Sequence, residues 1–189
     1  MVKNKLWTKD FTILTLGTIV SMLGNAVAGF AIGLLVLDKT DSVLLYALFM
    51  TCYSLPRIVL PIVAGPYLDR FSRKRVIYML DFVSAALYVG FFLFLLQGYF
   101  NYTVYLLLSM VIGSIDSVYS VAYDSFYPLL ISEGNYTRAY SVSSLIYPLS
   151  TAIMVPIAGI CYKTIGLAPL FLFNGVTFLI AAISETQIK

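Results

Sequence analysis

Long apolar segments alternate with short polar connections along the whole chain. Each segment reaches or exceeds the roughly 18 residues at which an apolar stretch is read as a membrane-spanning helix. The connections are too short to hold a soluble domain. The pattern predicts an all-α polytopic membrane protein, in which residues 1–189 form one bundle of six transmembrane helices at about 11–37, 43–67, 76–96, 104–130, 139–162 and 167–184.

Composition points to the same class of protein. Hydrophobic residues make up 60% of the chain and charged residues 11%, against about 25% charged residues in a soluble domain. Too few polar residues exist to cover the surface, so we expect a lipid bilayer around it and no nucleic acid partner. The chain has no histidine, which excludes histidine-ligated zinc, bis-histidine haem and any histidine-based catalytic dyad. We expect no metal and no cofactor.

The basic residues are distributed unevenly between the two sides of the membrane. With six spans, the amino terminus, the second and fourth loops and the carboxyl terminus share one side. That side holds nine of the 12 basic residues, namely Lys3, Lys5, Lys9, Arg70, Arg73, Lys74, Arg75, Arg138 and Lys189. The other side holds Lys39 and Lys163, and Arg57 falls inside a span. Since basic loops stay in the cytoplasm, we expect a multi-pass protein of the cell membrane with both termini cytoplasmic.

The connection between helices 2 and 3 has a specific order of residues, Gly-x-x-x-Asp-Arg-x-x-Arg-Lys-Arg. A plain basic loop would explain its bases but not its glycine and aspartate. Gly65 would allow a close helix approach, and Asp69 can pair with a base. Asp124 is predicted near the same end of helix 4, where Arg73 is its expected partner. The candidate motif comprises Gly65, Asp69, Arg70, Arg73, Lys74, Arg75 and Asp124.

Two charges are predicted deep inside the spans. Arg57 in helix 2 and Asp116 in helix 4 lie at depths of about 21 and 18 Å, counted from the same side at 1.5 Å per residue. Their opposite signs and matched depths suggest a buried pair, which could serve as a proton or substrate site or as a structural ion pair. Asp81, close to the start of helix 3, has Lys74 as its expected structural partner.

Polar side chains also recur at helical spacing on helices 1, 2, 4 and 5. They predict a wet, aromatic and largely neutral cavity, although hydrogen-bonded helix packing would explain part of the pattern. Besides Asp116 and Arg57, the candidate cavity residues are Asn25, Ser21, Tyr53, Ser120, Tyr123 and Tyr147.

The loop between helices 2 and 3 resembles the signature loop of major facilitator superfamily transporters. Leu16–Asn25, Leu55–Arg57 and Thr137–Ser141 are similar to the branch that holds bacterial macrolide-efflux and siderophore-export proteins. The resemblance implies the amino-terminal half of a twelve-helix transporter, built as a 3+3 inverted repeat, and proton-coupled export of small amphipathic molecules. It also implies an inner gate latched by Arg73 and Asp124. From the depth and sign of the two buried charges, Asp116 is the candidate for proton coupling and Arg57 is its partner.

Two departures from the family pattern qualify this expectation. Antiporters of the superfamily often carry Gly-Pro-x-x-Gly in helix 5, whereas this chain has Val155 in place of the first glycine and keeps Pro156 and Gly159. The chain also ends after the sixth helix, so it supplies one wall of a site that lies between two halves. We expect a second six-helix half or self-association.

The sequence leaves two alternative functions open. The chain could be a transport-inactive fragment, or a subunit that needs a separately encoded second half. It could instead be an intramembrane aspartyl protease with Asp81 and Asp116 facing each other. The Gly-x-Gly-Asp context of such proteases is absent, because Gly113-Ser114-Ile115 precedes Asp116. We therefore expect no enzyme activity.

Overall fold

A computed structural model describes residues 5–68, 70–98 and 100–188. The described residues form six long α-helices, and each is long and apolar enough to cross a membrane. A single 3₁₀ turn, Tyr127–Leu130, extends the fourth helix. The helices are α1 Lys9–Thr40, α2 Val43–Leu68, α3 Arg73–Leu96, α4 Tyr102–Phe126, α5 Tyr136–Ile165 and α6 Ala168–Glu185. This confirms the predicted six-helix architecture, and the observed limits differ from the expected ones by at most four residues.

Local signals set several of the helix ends. The Thr8 side chain accepts a hydrogen bond from the Phe11 backbone N–H at the start of α1, and Asn101 does the same for Thr103 and Val104 at the start of α4. Such caps satisfy N–H groups that have no partner inside the helix. Asp41 then ends α1 in the left-handed conformation. Because the connections are short, successive helices run in opposite directions, and α1 begins at the same end of the bundle as α6 finishes. We call this the termini end.

The helix contacts repeat between the two halves of the chain. α3 packs against α6, α2 against α4, and α1 against both α5 and α6, while α3 also touches α4. If α1, α2 and α3 are exchanged for α4, α5 and α6 respectively, the contact of α2 with α4 becomes the contact of α5 with α1. The same exchange maps α1–α6 onto α4–α3 and leaves α3–α6 unchanged. This is the contact pattern of a 3+3 inverted repeat.

Two helix crossings depend on glycine. A Cβ atom at Gly24 in α1 would lie 2.0 Å from the Thr177 side-chain oxygen in α6. A Cβ atom at Gly113 in α4 would lie 2.1 Å from the Tyr53 carbonyl oxygen in α2. No larger side chain fits at either crossing, so these glycines set how closely the helix backbones approach.

The core has two apolar clusters with buried polar groups between them. One cluster, near the termini end, includes Phe11 and Tyr127, and the other includes Phe91 and Phe171 towards the far end. Along α1, α3, α4 and α6 the buried polar residues fall between the two clusters. They include Thr18, Ser21, Asp81, Ser117 and Glu185. Polar groups in such a position must be paired or protonated, since burying them costs free energy.

Candidate functional site

The crossing of α2 and α4 brings a tyrosine against an aspartate inside the spans. The Tyr53 hydroxyl donates a hydrogen bond of 2.6 Å to Oδ2 of Asp116. Gly113 lies one helical turn before Asp116 and packs on the Tyr53 carbonyl oxygen, so the glycine crossing brings the two side chains within reach. The distance lies within the range of about 2.5–3.0 Å that is usual for O–H···O hydrogen bonds.

Arg57 joins this site through Tyr53. Its Nη1 lies 3.4 Å from the Tyr53 hydroxyl, and its guanidinium carbon lies 5.5 Å from the centre of the Tyr53 ring. The sequence predicted a buried pair of Arg57 with Asp116, and that geometry was wrong in two respects. The Arg57 side chain is exposed, and the Tyr53 hydroxyl stands between the two charges. Arg57 is one helical turn from Tyr53, so a single face of α2 provides both groups.

Two further tyrosines approach the site from other helices. Tyr147 on α5 lies near Tyr53, and Tyr88 on α3 lies near both Asp116 and Tyr53. Four helices therefore contribute to the surroundings of one carboxylate. A proton on Asp116 would remove the charge that strengthens the Tyr53 hydrogen bond and would leave Arg57 without an opposite charge nearby. Protonation of Asp116 can thus alter the contact between α2 and α4.

The candidate cavity residues separate into two groups by exposure. Arg57, Ser120 and Tyr147 are exposed. Asn25, Tyr53 and Asp116 are half-buried.

Ser21 and Tyr123 were wrongly predicted as cavity residues. Ser21 is 1% exposed and donates to the Thr18 carbonyl of its own helix. Tyr123 is 9% exposed and stacks between Tyr119 and Tyr127. Both side chains pack inside this bundle, and such packing is the alternative explanation of the polar side chains that recur at helical spacing.

The basic loop fastens the termini end of the bundle. Nη1 of Arg73 donates to the Ser125 carbonyl at 3.0 Å, and Lys74 donates to the Ile188 carbonyl. Arg70 and Arg75 are exposed. Asp69 lies outside the described residues. The loop therefore joins the start of α3 to the end of α4 and to the segment that follows α6.

Two details of this motif differ from expectation. Asp124 is exposed, whereas Arg73 binds the backbone of the neighbouring Ser125. The predicted latch between Arg73 and Asp124 is therefore not formed among the described residues. Gly65 was expected to permit a close helix approach, yet no described atom outside its own helix turn lies within 4 Å of a Cβ placed there. Gly65 instead leaves an open patch on the surface of α2.

The helix-5 motif sits on a continuous helix. α5 passes through Pro148 and Pro156 without a break, and Pro156 is exposed. A Cβ atom at Gly159 would lie 3.7 Å from the Phe30 ring, at the contact of α5 with α1. That spacing is ordinary van der Waals contact, so the glycine is not required by packing within this bundle.

Sequence reasoning assigned Asp81 to the wrong environment and missed Glu185. Asp81 was expected to pair with Lys74 near the membrane surface. The side chains of Asp81 and Glu185 are instead fully buried, with 0% exposure. Lys74 donates a hydrogen bond to the Ile188 carbonyl. The missed signal was the helical register: seven residues separate Lys74 from Asp81, which is two full turns and too far for a salt bridge along one helix.

Comparison with known proteins decides the family. The family model of the Major Facilitator Superfamily matches residues 14–184. This chain belongs to the major facilitator superfamily. Within the superfamily it is 25% identical, over 93% of its length, to a Bacillus subtilis protein named as an uncharacterized MFS-type transporter, YkuC. It is 24% identical, over its whole length, to macrolide efflux protein A of Streptococcus pyogenes. No solved structure matches.

The chain spans about half the length of these superfamily relatives. The aligned parts cover 40% of the Bacillus protein and 47% of the Streptococcus protein. Together with the six helices and their inverted repeat, this identifies the fold as a half domain of the superfamily. The chain is a membrane protein, and transport is the activity of the family to which it belongs.

Proposed function

We propose that this chain is the amino-terminal bundle of an exporter of small amphipathic molecules, with macrolides as the first class to test. The observation that carries the proposal is the Arg57–Tyr53–Asp116 network, placed inside the spans and accessible on the surface of a major facilitator bundle. An intramembrane charge outside the protein core needs a wet cavity or a partner, because exposure to lipid costs about 2.5–3.5 kcal/mol on insertion scales. The likeness to macrolide efflux protein A supports the substrate class.

We assign proton coupling to Asp116. The Asp116 carboxylate is the group of this network that can gain a proton and still accept the hydrogen bond from the Tyr53 hydroxyl at the crossing of α2 and α4. Its hydrogen bond to Tyr53 weakens when it becomes neutral, because hydrogen bonds to charged groups are about twice as strong as neutral ones. An antiporter needs such a dependence, since proton and substrate must favour different arrangements of the same helices.

The orientation follows from the basic residues. The termini end carries the loop with Arg70, Arg73, Lys74 and Arg75, and we place it in the cytoplasm of the cell membrane. There the loop would act as the inner gate. In the isolated bundle Arg73 binds the backbone at the end of α4. A partner for Asp124 would therefore come from outside this bundle, or Arg73 would pair with Asp124 only when the gate is arranged differently.

A second six-helix bundle is the proposed partner. In this architecture the substrate site lies between two bundles that move relative to each other. The exposed side chains of Arg57, Ser120 and Tyr147 are on one bundle only. The second bundle would be a separate half, or a second copy of this chain if the chain pairs with itself.

Flux across liposomes tests the proposal. The chain is reconstituted, its oligomeric mass is determined, and macrolide flux is measured with and without a proton gradient. We expect gradient-driven flux only in particles that contain two bundles, and its loss in Asp116→Asn. The matched control is Glu133→Gln, which neutralises an exposed carboxylate in the loop before α5. Flux that ignores the gradient, or survives Asp116→Asn, would refute proton coupling through Asp116.

A further inference from the structure

The two fully buried carboxylic side chains, Asp81 on α3 and Glu185 on α6, face each other. Both have 0% exposure. None of their four oxygens receives a hydrogen bond from an N–H or hydroxyl group of the described residues. The two carboxyl groups lie close enough to act on each other where α3 packs against α6. A carboxylate can only accept, so two carboxyl groups can share a hydrogen bond only when one of them carries a proton.

Among the described residues, no positive charge is placed to replace that proton. From α1 the pair faces Gly17, where a Cβ atom would lie 3.0 Å from Oε1 of Glu185. From α4 it faces Tyr119, which is buried, lacks a hydrogen-bond partner among the described residues and is influenced by both carboxyl groups. Asp116 and Tyr123 are further titratable groups near this pair. The nearby base Lys74 is bound to the Ile188 carbonyl.

We propose that Asp81 and Glu185 form a proton-binding site in which one proton is shared between the two carboxyl groups and joins α3 to α6. The site is separate from the Tyr53–Asp116 network and does not depend on the transport proposal. Loss of the proton would place two adjacent negative charges in a water-excluded position, where like charges strongly disfavour each other. The proton therefore stabilises the α3–α6 contact on which both halves of the inverted repeat meet.

The complete burial of this pair and its lack of other hydrogen-bond partners among the described residues favour a proton over a metal cation. A sodium ion held by two carboxylates would separate them and would recruit further oxygen ligands. Among the described residues, no group of three or more aspartate, glutamate, cysteine or histidine side chains is placed to hold a metal ion. A proton needs only the two oxygens that already face each other.

The effect of pH has a definite sign. The folded chain holds one proton between Asp81 and Glu185, whereas in the unfolded chain both side chains are exposed to water and ionised at neutral pH. The folded state then binds more protons than the unfolded state, and its stability falls as pH rises. The double variant Asp81→Asn/Glu185→Gln replaces the acids with amides of the same shape, which hydrogen-bond to each other without a titrating proton.

Melting of the purified chain in detergent, followed from acidic to alkaline pH, tests this site. We expect the wild-type melting temperature to fall with rising pH and the double variant to lose that part of the decline and to melt higher at alkaline pH. Glu133→Gln, the exposed control, should follow the wild type. A wild-type melting temperature that does not fall, or an equal fall in the double variant, would overturn the proposal.

Two further measurements keep the test decisive. At neutral pH, infrared spectra should show the carbonyl stretch of one protonated carboxyl group in the wild type that the double variant lacks, and identical spectra would refute the site. Exchange of choline for sodium at constant ionic strength should leave melting unchanged. Sodium stabilisation that disappears in the double variant would show that the site holds a metal ion and not a proton.

If the double variant does not fold, Asp81→Asn alone should flatten the pH dependence, because its amide donates to Glu185.

Discussion

The Tyr53 hydroxyl stands between the Arg57 guanidinium and the Asp116 carboxylate and donates a 2.6 Å hydrogen bond to the latter. This one hydroxyl connects α2 to α4 at the depth of the proposed substrate site. It also explains how a carboxylate is held inside the spans without a direct salt bridge. A base joined through a tyrosine stays exposed and available to a substrate or to a second bundle.

Tyr53→Phe should destabilise the bundle. The substitution keeps the ring and removes the hydroxyl, so Asp116 loses its donor. Hydrogen bonds to charged groups contribute about 1.5–3 kcal/mol, and we expect the free energy of unfolding in detergent to fall by about that amount. Tyr136→Phe is the control, because Tyr136 is exposed at the start of α5. Equal stabilities of the two variants would show that the Tyr53–Asp116 bond contributes nothing.

Gly113→Ala should disturb the same crossing from the opposite helix. Its Cβ would lie 2.1 Å from the Tyr53 carbonyl oxygen, so α2 and α4 must move apart. Overpacking of this kind costs about 1–3 kcal/mol. Gly90→Ala is the matched control, since Gly90 is also inside a helix and has no neighbouring atom within 4 Å. There alanine should be neutral or stabilise by about 0.5–1 kcal/mol. A Gly113→Ala variant as stable as Gly90→Ala would argue against the close crossing.

Arg73 and Asp124 should act independently in the isolated bundle. Arg73→Ala removes the bond to the Ser125 carbonyl and should destabilise the chain by about 1.5–3 kcal/mol, while Asp124→Asn changes an exposed side chain and should have a small effect. A double-mutant cycle on unfolding should give a coupling energy near zero. A coupling above about 1 kcal/mol would restore the direct ion pair that the sequence predicted. Arg75→Ala, at an exposed base of the same loop, serves as the control.

Opposite labelling of the two ends should establish the orientation. Ser72→Cys at the termini end and Gln97→Cys at the far end are both exposed and lie in connections between helices. Cys52 and Cys161 are first replaced by alanine. An impermeant thiol reagent added outside intact cells should label position 97 and spare position 72. The reverse pattern would place the termini outside.

The sequence predicts the fold well because its main signal is lipid exposure. Apolar length alone gives the six helices, and the loop motif gives the family. Residue counts from the helix starts predict that Arg57 and Asp116 lie at similar levels of α2 and α4, and the structure joins both side chains to the same Tyr53 hydroxyl. Their connection through Tyr53 was not predictable, because it depends on the close approach that Gly113 permits.

The misplaced residues share one physical cause. Ser21, Tyr123 and Asp81 look like cavity or surface groups on a single helix, yet the rotation of each helix in the bundle turns them inward. Helical periodicity shows which residues share a face but not which neighbour that face meets. The facing of Asp81 and Glu185 joins residues far apart in the chain, so only the tertiary structure reveals it.

Protection by substrate tests most directly whether the accessible face with Tyr53 and Asp116 is a wall of the transport site. Tyr147→Cys and Leu179→Cys are made without the native cysteines. Both positions are exposed in the isolated bundle, Tyr147 beside the Tyr53 site and Leu179 on α6. A water-soluble thiol reagent should label position 147 in membranes, and a macrolide should slow that labelling, while position 179 should resist the reagent with or without the macrolide. Equal labelling of both positions, with no protection by the macrolide, would contradict this assignment.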